Sequence, residues 1–281
     1  MNLSLEDITF IIVTHKSEQI INDCLKSLPK NSNKIIIENS QNFNLKKELK
    51  ENYDNIEILI SENLGMGATN NIGIRKCSTK YAFVLNPDVK FKNNTLEKLF
   101  ENLKRIEDFA IVSPLNSNAK YPNYKIFDKN KILKNENIIS VDTVDGFSML
   151  INKEKFPDNN FFDENFFLYL ENDDLCLRIK NKKENIFIIK DSLIDHKGGI
   201  GNDDKTQQLR NWHWMWSKFY FNYKHFGYAV ALQKVFFSLL SSSLKYIFFT
   251  ILFQKRKKKI YEMRLKGTIN SILGNKAFFR I

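Results

Sequence analysis

The stretch ITFIIVT, Ile8–Thr14, is the strongest constraint on what this chain can fold into. Its apolar residues do not alternate with polar ones, so a strand made from it has no face to turn toward water. Such a strand belongs inside a parallel sheet covered by helices on both faces. KIIIENS (Lys34–Ser40), IEILISE (Ile56–Glu62) and YAFVLNPDV (Tyr81–Val89) read as three more strands. Between them, Ser17–Leu28 spaces Ile20, Ile21, Cys24, Leu25 and Leu28 as one helix face, and the loop NLGMGATNN leads into the helix-like IGIRKC. Alternating strands and helices with right-handed crossovers predict an α/β fold with a doubly wound sheet. Ligands of such sheets bind beyond the carboxyl ends of the strands. That singles out Thr14 and His15, Glu38 to Ser40, Glu62 and Asn63, and Asn86 to Asp88.

At 281 residues the chain has room for one large domain, or for one domain and an appendage. The net charge of +11 asks for an anionic partner: nucleic acid, a phospholipid surface or a phosphorylated substrate. Three scattered cysteines without a CxxC pair argue against a disulfide framework or zinc ribbon and fit a reducing cytoplasm. MNLSLEDITF lacks the basic flank and apolar stretch of a signal peptide.

The character changes near Asn211, which divides the chain into residues 1–210 and an aromatic, basic helical region over 211–281. There WHWMWSKFYFNYKHFGY is followed by ALQKVFFSLLSSSLKYIFFTILF and then QKRKKK. Lys234, Lys245 and Ser241–Ser243 interrupt what would otherwise approach a membrane span. An aromatic helix ending in a basic cluster fits the surface of an anionic bilayer; the plainer alternative is a helical extension with a solvated lysine run.

Three short motifs carry chemistry. LNPD ends a buried strand on Asp88, because a proline cannot donate to the sheet ladder; Asp88 there is either a ligand for Mg²⁺ or Mn²⁺ or a turn-capping residue. ENLGMGATNNIG would let a sugar or phosphate approach the backbone, yet it matches neither GxGxxG nor GxxxxGK[ST], which disfavours a nicotinamide dehydrogenase or a P-loop enzyme. DHKGG puts His196 on a glycine-flexible loop as a metal ligand, a base, or neither.

FLYLENDDLCLRI sets three carboxylates within four positions after an apolar run. Asn172 suits an N-cap, with Asp173 and Asp174 in a first helical turn. Asp174 and Arg178 stand at i, i+4 and should pair. Glu171 is left unexplained by that account; carboxylates crowded together raise one another's pKa, which suits a general base.

In order, NLG…NxG, LNPD, DGFSMLINKEKF, FFDENFFLYLENDDLCLR and IDHKGG resemble the family 2 glycosyltransferases, in particular bacterial rhamnosyltransferase-type enzymes of surface-polysaccharide assembly, over about residues 8 to 200. The resemblance implies a GT-A fold, a doubly wound mixed sheet with a C-terminal helical extension. It implies that Thr14, Glu38 and Asn39 line the nucleotide, that Asn63, Gly65, Asn71, Asn86 and Gly146 border the nucleotide sugar, and that Asp88 and His196 hold Mg²⁺ or Mn²⁺. The catalytic base would come from FLYLENDDLCLR. The usual base position falls on Asn172, which cannot take a proton, so Glu171 or Asp173 is left to serve; Asn86 likewise replaces the first Asp of a DxD. The implied activity is inverting sugar transfer, with dTDP-L-rhamnose as donor, to a saccharide or lipid-linked acceptor on the cytoplasmic face of the membrane, without nucleic acid. The alternatives are a catalytically impaired assembly partner that binds nucleotide sugar or lipid, and a nucleic-acid-binding module, which lacks a recognised reader motif.

Overall fold

Strand β1 (Ile8–Thr14) is buried at every position. The computed structural model describes residues 3–127, 136–198 and 203–280. The chain forms two compact units, Met1–Asp163 with Asn172–Gly198, and Glu164–Glu171 with Gly199–Ile281.

The first unit is built on a nine-stranded mixed sheet. Its order is β3 (Ile56–Ile60), β2 (Asn33–Glu38), β1, β4 (Tyr81–Leu85), β10 (Ser148–Asn152), β6 (Ile111–Asn116), β11 (Ile186–His196) and β5 (Val89–Phe91), with β8 (Ile138–Ser140) also paired to β11. Strands β1 to β4 run parallel, whereas β10 is antiparallel to β4. A separate ribbon pairs β7 (Tyr124–Lys125) with β9 (Thr143–Val144).

The missing alternation in ITFIIVT now has its cause. Phe10 and Ile12 join Phe83 and Leu85 in one core, with Cys24 and Leu25 of α1 (Ile21–Ser27), Leu45 of α2 (Phe43–Asn52) and Leu99 of α4 (Thr95–Leu103). Ile11 and Val13 join Ala82 and Val84 in another, with Ile74 of α3 (Met66–Lys76) and Leu175, Cys176 and Ile179 of α5 (Glu171–Asn181). Both faces of the central strands are therefore covered, as a parallel α/β sheet requires.

Two details position the site. The run read as one strand over Tyr81–Val89 breaks at the proline: β4 ends at Leu85, and Val89 N donates to Asn86 O at 3.1 Å across a turn. Strand β11 shifts register against β6 between Ile189 and Leu193, stays paired with it through Ile194, and on its other edge pairs antiparallel with β5, setting His196 opposite Val89. Helix α1 is shorter than Ser17–Leu28, because Ser17–Ile20 forms a turn in which Ile20 N and Ile21 N both donate to Ser17 O.

The second unit holds α6 (Asp204–Phe226), α7 (Tyr228–Ile251) and α8 (Lys255–Ile272). Asp203 caps α6, its Oδ1 accepting from Thr206 N at 2.9 Å. Gly227, at φ +84°, makes the turn between α6 and α7. A Cβ on Gly267 would lie 2.2 Å from Trp212 O, so α6 and α8 approach closely because that residue has none. Phe166 and Phe167 pack with Trp212, Trp216 and Met263. Helix α7 is, among the described residues, the one long and apolar enough to cross a membrane by length and composition.

Candidate active site

The pairing of β5 with β11 brings Asp88 and His196 together, with His196 Nε2 3.3 Å from Asp88 Oδ2. Gly198 N, at a residue with φ +59°, donates to the same carboxylate oxygen at 3.1 Å. The Phe147 ring stacks on the His196 imidazole at 3.8 Å and 17°, which fixes the plane of that ring. Phe147 O in turn accepts from Asn86 N at 2.9 Å, tying the LNPD turn to the start of β10. The two side chains are only 10% and 20% exposed. A carboxylate oxygen and an imidazole nitrogen that converge in this way suit a divalent ion, Mn²⁺ in particular, with positions left open for phosphate oxygens. Among the described residues no group of three or more His, Cys, Asp or Glu could hold a metal alone. The donor set of two therefore fits an ion shared with a diphosphate, not a closed structural site.

At the ends of β1 and β2, Thr14 is fully buried and its Oγ1 has no hydrogen-bond partner among the described residues. Asn39 Oδ1 lies 2.9 Å from His15 Nδ1, and Asn39 N donates to Thr14 O at 2.9 Å. Glu38 is fully buried and engaged by the backbone: Oε1 accepts from Ser40 N at 3.0 Å and also from Ser40 Oγ, and Oε2 accepts from Asn42 N at 2.5 Å. Glu38 shapes the loop after β2.

In the glycine loop, Asn63 Oδ1 accepts from Gly65 N at 3.2 Å, and Gly65, at φ +94°, begins α3. Asn71 is buried, with Nδ2 donating to Phe162 O at 2.8 Å and Oδ1 accepting from Phe162 N at 3.0 Å. Its amide braces that segment.

The acidic turn differs from the sequence expectation. Helix α5 starts at Glu171, so Asn172 sits inside the first turn and is not the N-cap. Tyr169 and Leu170, both left-handed at φ 72° and 66°, lead into it. Asn172 Nδ2 donates to Val144 O at 3.0 Å, and a Cβ on Gly146 would meet Asn172 Cβ at 3.4 Å. The turn before β10 thus lies against α5 at Gly146. Asp173, 14% exposed, pairs with Lys125 Nζ at 3.0 Å. Asp174 is fully buried and pairs with Arg178 Nε at 2.9 Å, as the i, i+4 spacing predicts. Glu171 is buried and belongs to the second unit. There the Tyr169 phenol is pushed up by burial, against the pull of Arg210 and with a further push from Glu171.

Asp145 was not singled out in the sequence. Burial pushes its carboxyl above the usual range; Lys125 opposes, Asp173 adds and His196 opposes. The only sequence signal is a carboxylate directly before the glycine of DGFSM.

The mixed sheet and helical C-terminal part are those of a GT-A fold. The mannosyltransferase PcManGT from Pyrobaculum calidifontis, solved with GDP-Man and Mn²⁺, matches with a TM-score of 0.58 at 10% identity, over 96% of this chain and 88% of that one. S. aureus TarS, solved with UDP, matches with a TM-score of 0.53 at 12% identity, over 98% and 94%. By sequence, the low-salt glycan biosynthesis hexosyltransferase Agl10 of Haloferax volcanii is 27% identical over 209 residues, which are 68% of this chain and 66% of that protein, just under two thirds of its length. The rhamnosyltransferase WbbL of Escherichia coli is 30% identical over 199 residues, 60% of this chain and 75% of that protein. Glycosyl transferase family 2 matches residues 9–172, from β1 through the first turn of α5. With more than half of its length inside that match and the fold in agreement, this chain belongs to glycosyl transferase family 2.

Proposed function

We propose that this chain is a glycosyltransferase that moves a hexose, L-rhamnose from dTDP-L-rhamnose, onto a saccharide or lipid-linked acceptor of surface-polysaccharide assembly, with inversion at the anomeric carbon. The observation that carries this is the convergence of Asp88 and His196 beyond the strand ends, where an α/β sheet binds its ligand. The similarity to a rhamnosyltransferase supports the choice of sugar.

Asp88 and His196 would hold Mg²⁺ or Mn²⁺, which when bound supplies positive charge against the leaving diphosphate. Gly198 N holds the Asp88 carboxylate and Phe147 holds the His196 ring, so both groups are oriented before a ligand arrives. Thr14, Glu38 and Asn39 shape the nucleotide end, and Asn63, Gly65, Asn86 and Gly146 border the sugar. An acceptor hydroxyl attacks the anomeric carbon as the bond to the diphosphate oxygen breaks, and its proton passes to a carboxylate of the acidic cluster. Glu171 and Asp173 are the candidates drawn from the sequence.

The acceptor is met at an anionic membrane surface on the cytoplasmic side, with the helical region as the contact and without nucleic acid. The α7 face supports this, with Phe236, Phe237, Leu240, Leu244, Ile247, Phe248 and Ile251 exposed at helical spacing and Phe237 77% exposed. Lys257 and Lys258 stand over Phe249 and Tyr246 at 5.1 and 5.4 Å, placing cations beside the apolar stripe.

The test is nucleotide-sugar turnover with Mn²⁺ in the wild type, Asp88→Ala, Glu171→Gln and Asp173→Asn. Loss of activity in Asp88→Ala is expected; activity near the wild-type level in that variant rejects the metal assignment. Asn172 favours a second reading, a binding partner without turnover, since the amide occupies the usual base position and is engaged by Val144 O. Tight nucleotide-sugar binding with no turnover on any acceptor would select it.

A further inference from the structure

Residues Val144–Phe147 form a short strap pinned at both ends. At one end Val144 O accepts from Asn172 Nδ2 at 3.0 Å, and Gly146 lies close enough to α5 that a Cβ would meet Asn172 Cβ at 3.4 Å. At the other end the Phe147 ring stacks on His196 at 3.8 Å, and Phe147 O accepts from Asn86 N at 2.9 Å. Asp145 sits between these anchors, its N–H donating to Asn123 O at 2.9 Å. The charged groups that act on its carboxyl come from three elements: Lys125 on β7, Asp173 on α5 and His196 on β11.

The other carboxylates of this unit near the α5 start are already engaged. Asp174 is fully buried against Arg178, and Asp173 is held by Lys125 at 3.0 Å. Asn172 donates its amide to the strap and cannot accept a proton. A carboxylate, Asp145, is nevertheless present one residue along that strap, between Asn172 and the Asp88–His196 pair.

We propose that Asp145 accepts the proton of the incoming hydroxyl, with Lys125 and Asp173 positioning and tuning it. This rests on the transfer reaction proposed above. The acceptor O–H bond breaks and its proton goes to an Asp145 carboxylate oxygen. The acceptor oxygen bonds to the anomeric carbon, the carbon–diphosphate oxygen bond breaks, and its electron pair leaves with the diphosphate. Asp145 then returns the proton to solvent.

The neighbouring charges give a readout that a merely structural residue would not move. A base works only when deprotonated, so activity falls as pH drops through its pKa. Asp173→Asn removes a like charge and moves that acid limb to lower pH; Lys125→Met removes a cation and moves it to higher pH.

The experiment measures nucleoside diphosphate release from dTDP-L-rhamnose and a panel of other nucleotide sugars, with octyl glycosides as acceptors and Mn²⁺ present. It compares wild type, Asp145→Asn, Asp145→Glu, Glu171→Gln, Asp173→Asn and Lys125→Met across pH. Calorimetry of dTDP with Mn²⁺ runs in parallel as a check on folding and donor binding. The expected result is a fall in kcat of about 10²–10⁴-fold for Asp145→Asn, with partial recovery in Asp145→Glu and dTDP affinity within about twofold of wild type. The acid limb should shift in opposite directions for Asp173→Asn and Lys125→Met. Asp145→Asn within about threefold of wild type overturns the assignment, as does an acid limb that stays put in both neighbour variants. If Glu171→Gln alone abolishes turnover, the base is Glu171 and the transfer reaction stands without Asp145. If the wild type turns over none of the sugars, the transfer reaction itself fails, and this assignment with it.

Discussion

Replacing Arg178 with Met tests how the start of α5 is held. Asp174 is fully buried, with Arg178 Nε at 2.9 Å. The same guanidinium donates through Nη1 to Asn160 O at 3.0 Å and through Nη2 to Phe161 O. Methionine keeps most of the apolar stem and removes the cation, leaving a buried carboxylate without it. Breaking a buried pair from one side costs about 3–5 kcal/mol. The hydrogen bond to buried Phe161 O adds about 1 kcal/mol; the exposed Asn160 carbonyl can rehydrate. The expected loss is therefore about 4–6 kcal/mol, a large share of the stability of an ordinary domain. The double variant Asp174→Leu, Arg178→Met removes both charges and should return to within about 1–2 kcal/mol of wild type, because a buried pair is close to neutral against apolar residues of similar size. Tryptophan fluorescence is the wrong probe, since Trp212, Trp214 and Trp216 all lie on α6 in the second unit. Hydrogen exchange of the buried Leu175 and Ile179 amides during urea titration reports α5 directly. A loss below about 1 kcal/mol for Arg178→Met, or a double variant no better than the single one, would refute the claim that this pair fixes the helix.

Other predictions concern the remaining parts of the molecule. Gly267→Ala sets a Cβ 2.2 Å from Trp212 O; overpacking against backbone should outweigh the gain in helix propensity and lower stability by about 1–3 kcal/mol in thermal unfolding. Burial lowers the His213 imidazole from 6.5 to about 4, against a hydrogen bond to Phe279 O. The unfolded chain therefore binds a proton at a pH where the folded one does not. Its contribution is complete above pH 6.5 and falls by about 3 kcal/mol as pH drops to 4. His213→Gln should flatten that slope in urea unfolding measured at several pH values. Phe237→Asp, at a 77% exposed position, should cut sedimentation with phosphatidylglycerol vesicles at least about tenfold, since a charge replaces an aromatic contact of about 2 kcal/mol. Added salt should weaken vesicle binding by the wild type. Unchanged vesicle binding in both conditions would remove the membrane contact.

The doubly wound sheet was legible because β1 carries a physical signature, an apolar run buried on two faces, that few other environments permit. The Asp174–Arg178 pair was legible for the same kind of reason: it is local, fixed by helical spacing alone. What escaped depends on contacts between distant segments. Only the family resemblance joined Asp88 to His196; no local pattern encodes the pairing of β11 with β5 that sets His196 opposite Val89. Asn favours an N-cap, which points to Asn172; two left-handed residues, Tyr169 and Leu170, start the helix earlier, and neither is a glycine that would signal it. The bracing of Phe162 by the Asn71 amide joins segments distant in sequence and has no local signal. Asp145 carries no motif of its own. It stands out only once the strap it lies on is seen joined to Asn172 and His196.

The central claim is that Asp88 and His196 together hold a divalent ion for the donor's diphosphate. The most direct measurement is an electron paramagnetic resonance titration of Mn²⁺ with dTDP into wild type, Asp88→Ala and His196→Ala. The account predicts an ion bound only when dTDP is present, weakened by about tenfold or more in each variant. Binding of equal strength in all three proteins, or with dTDP making no difference, would contradict it.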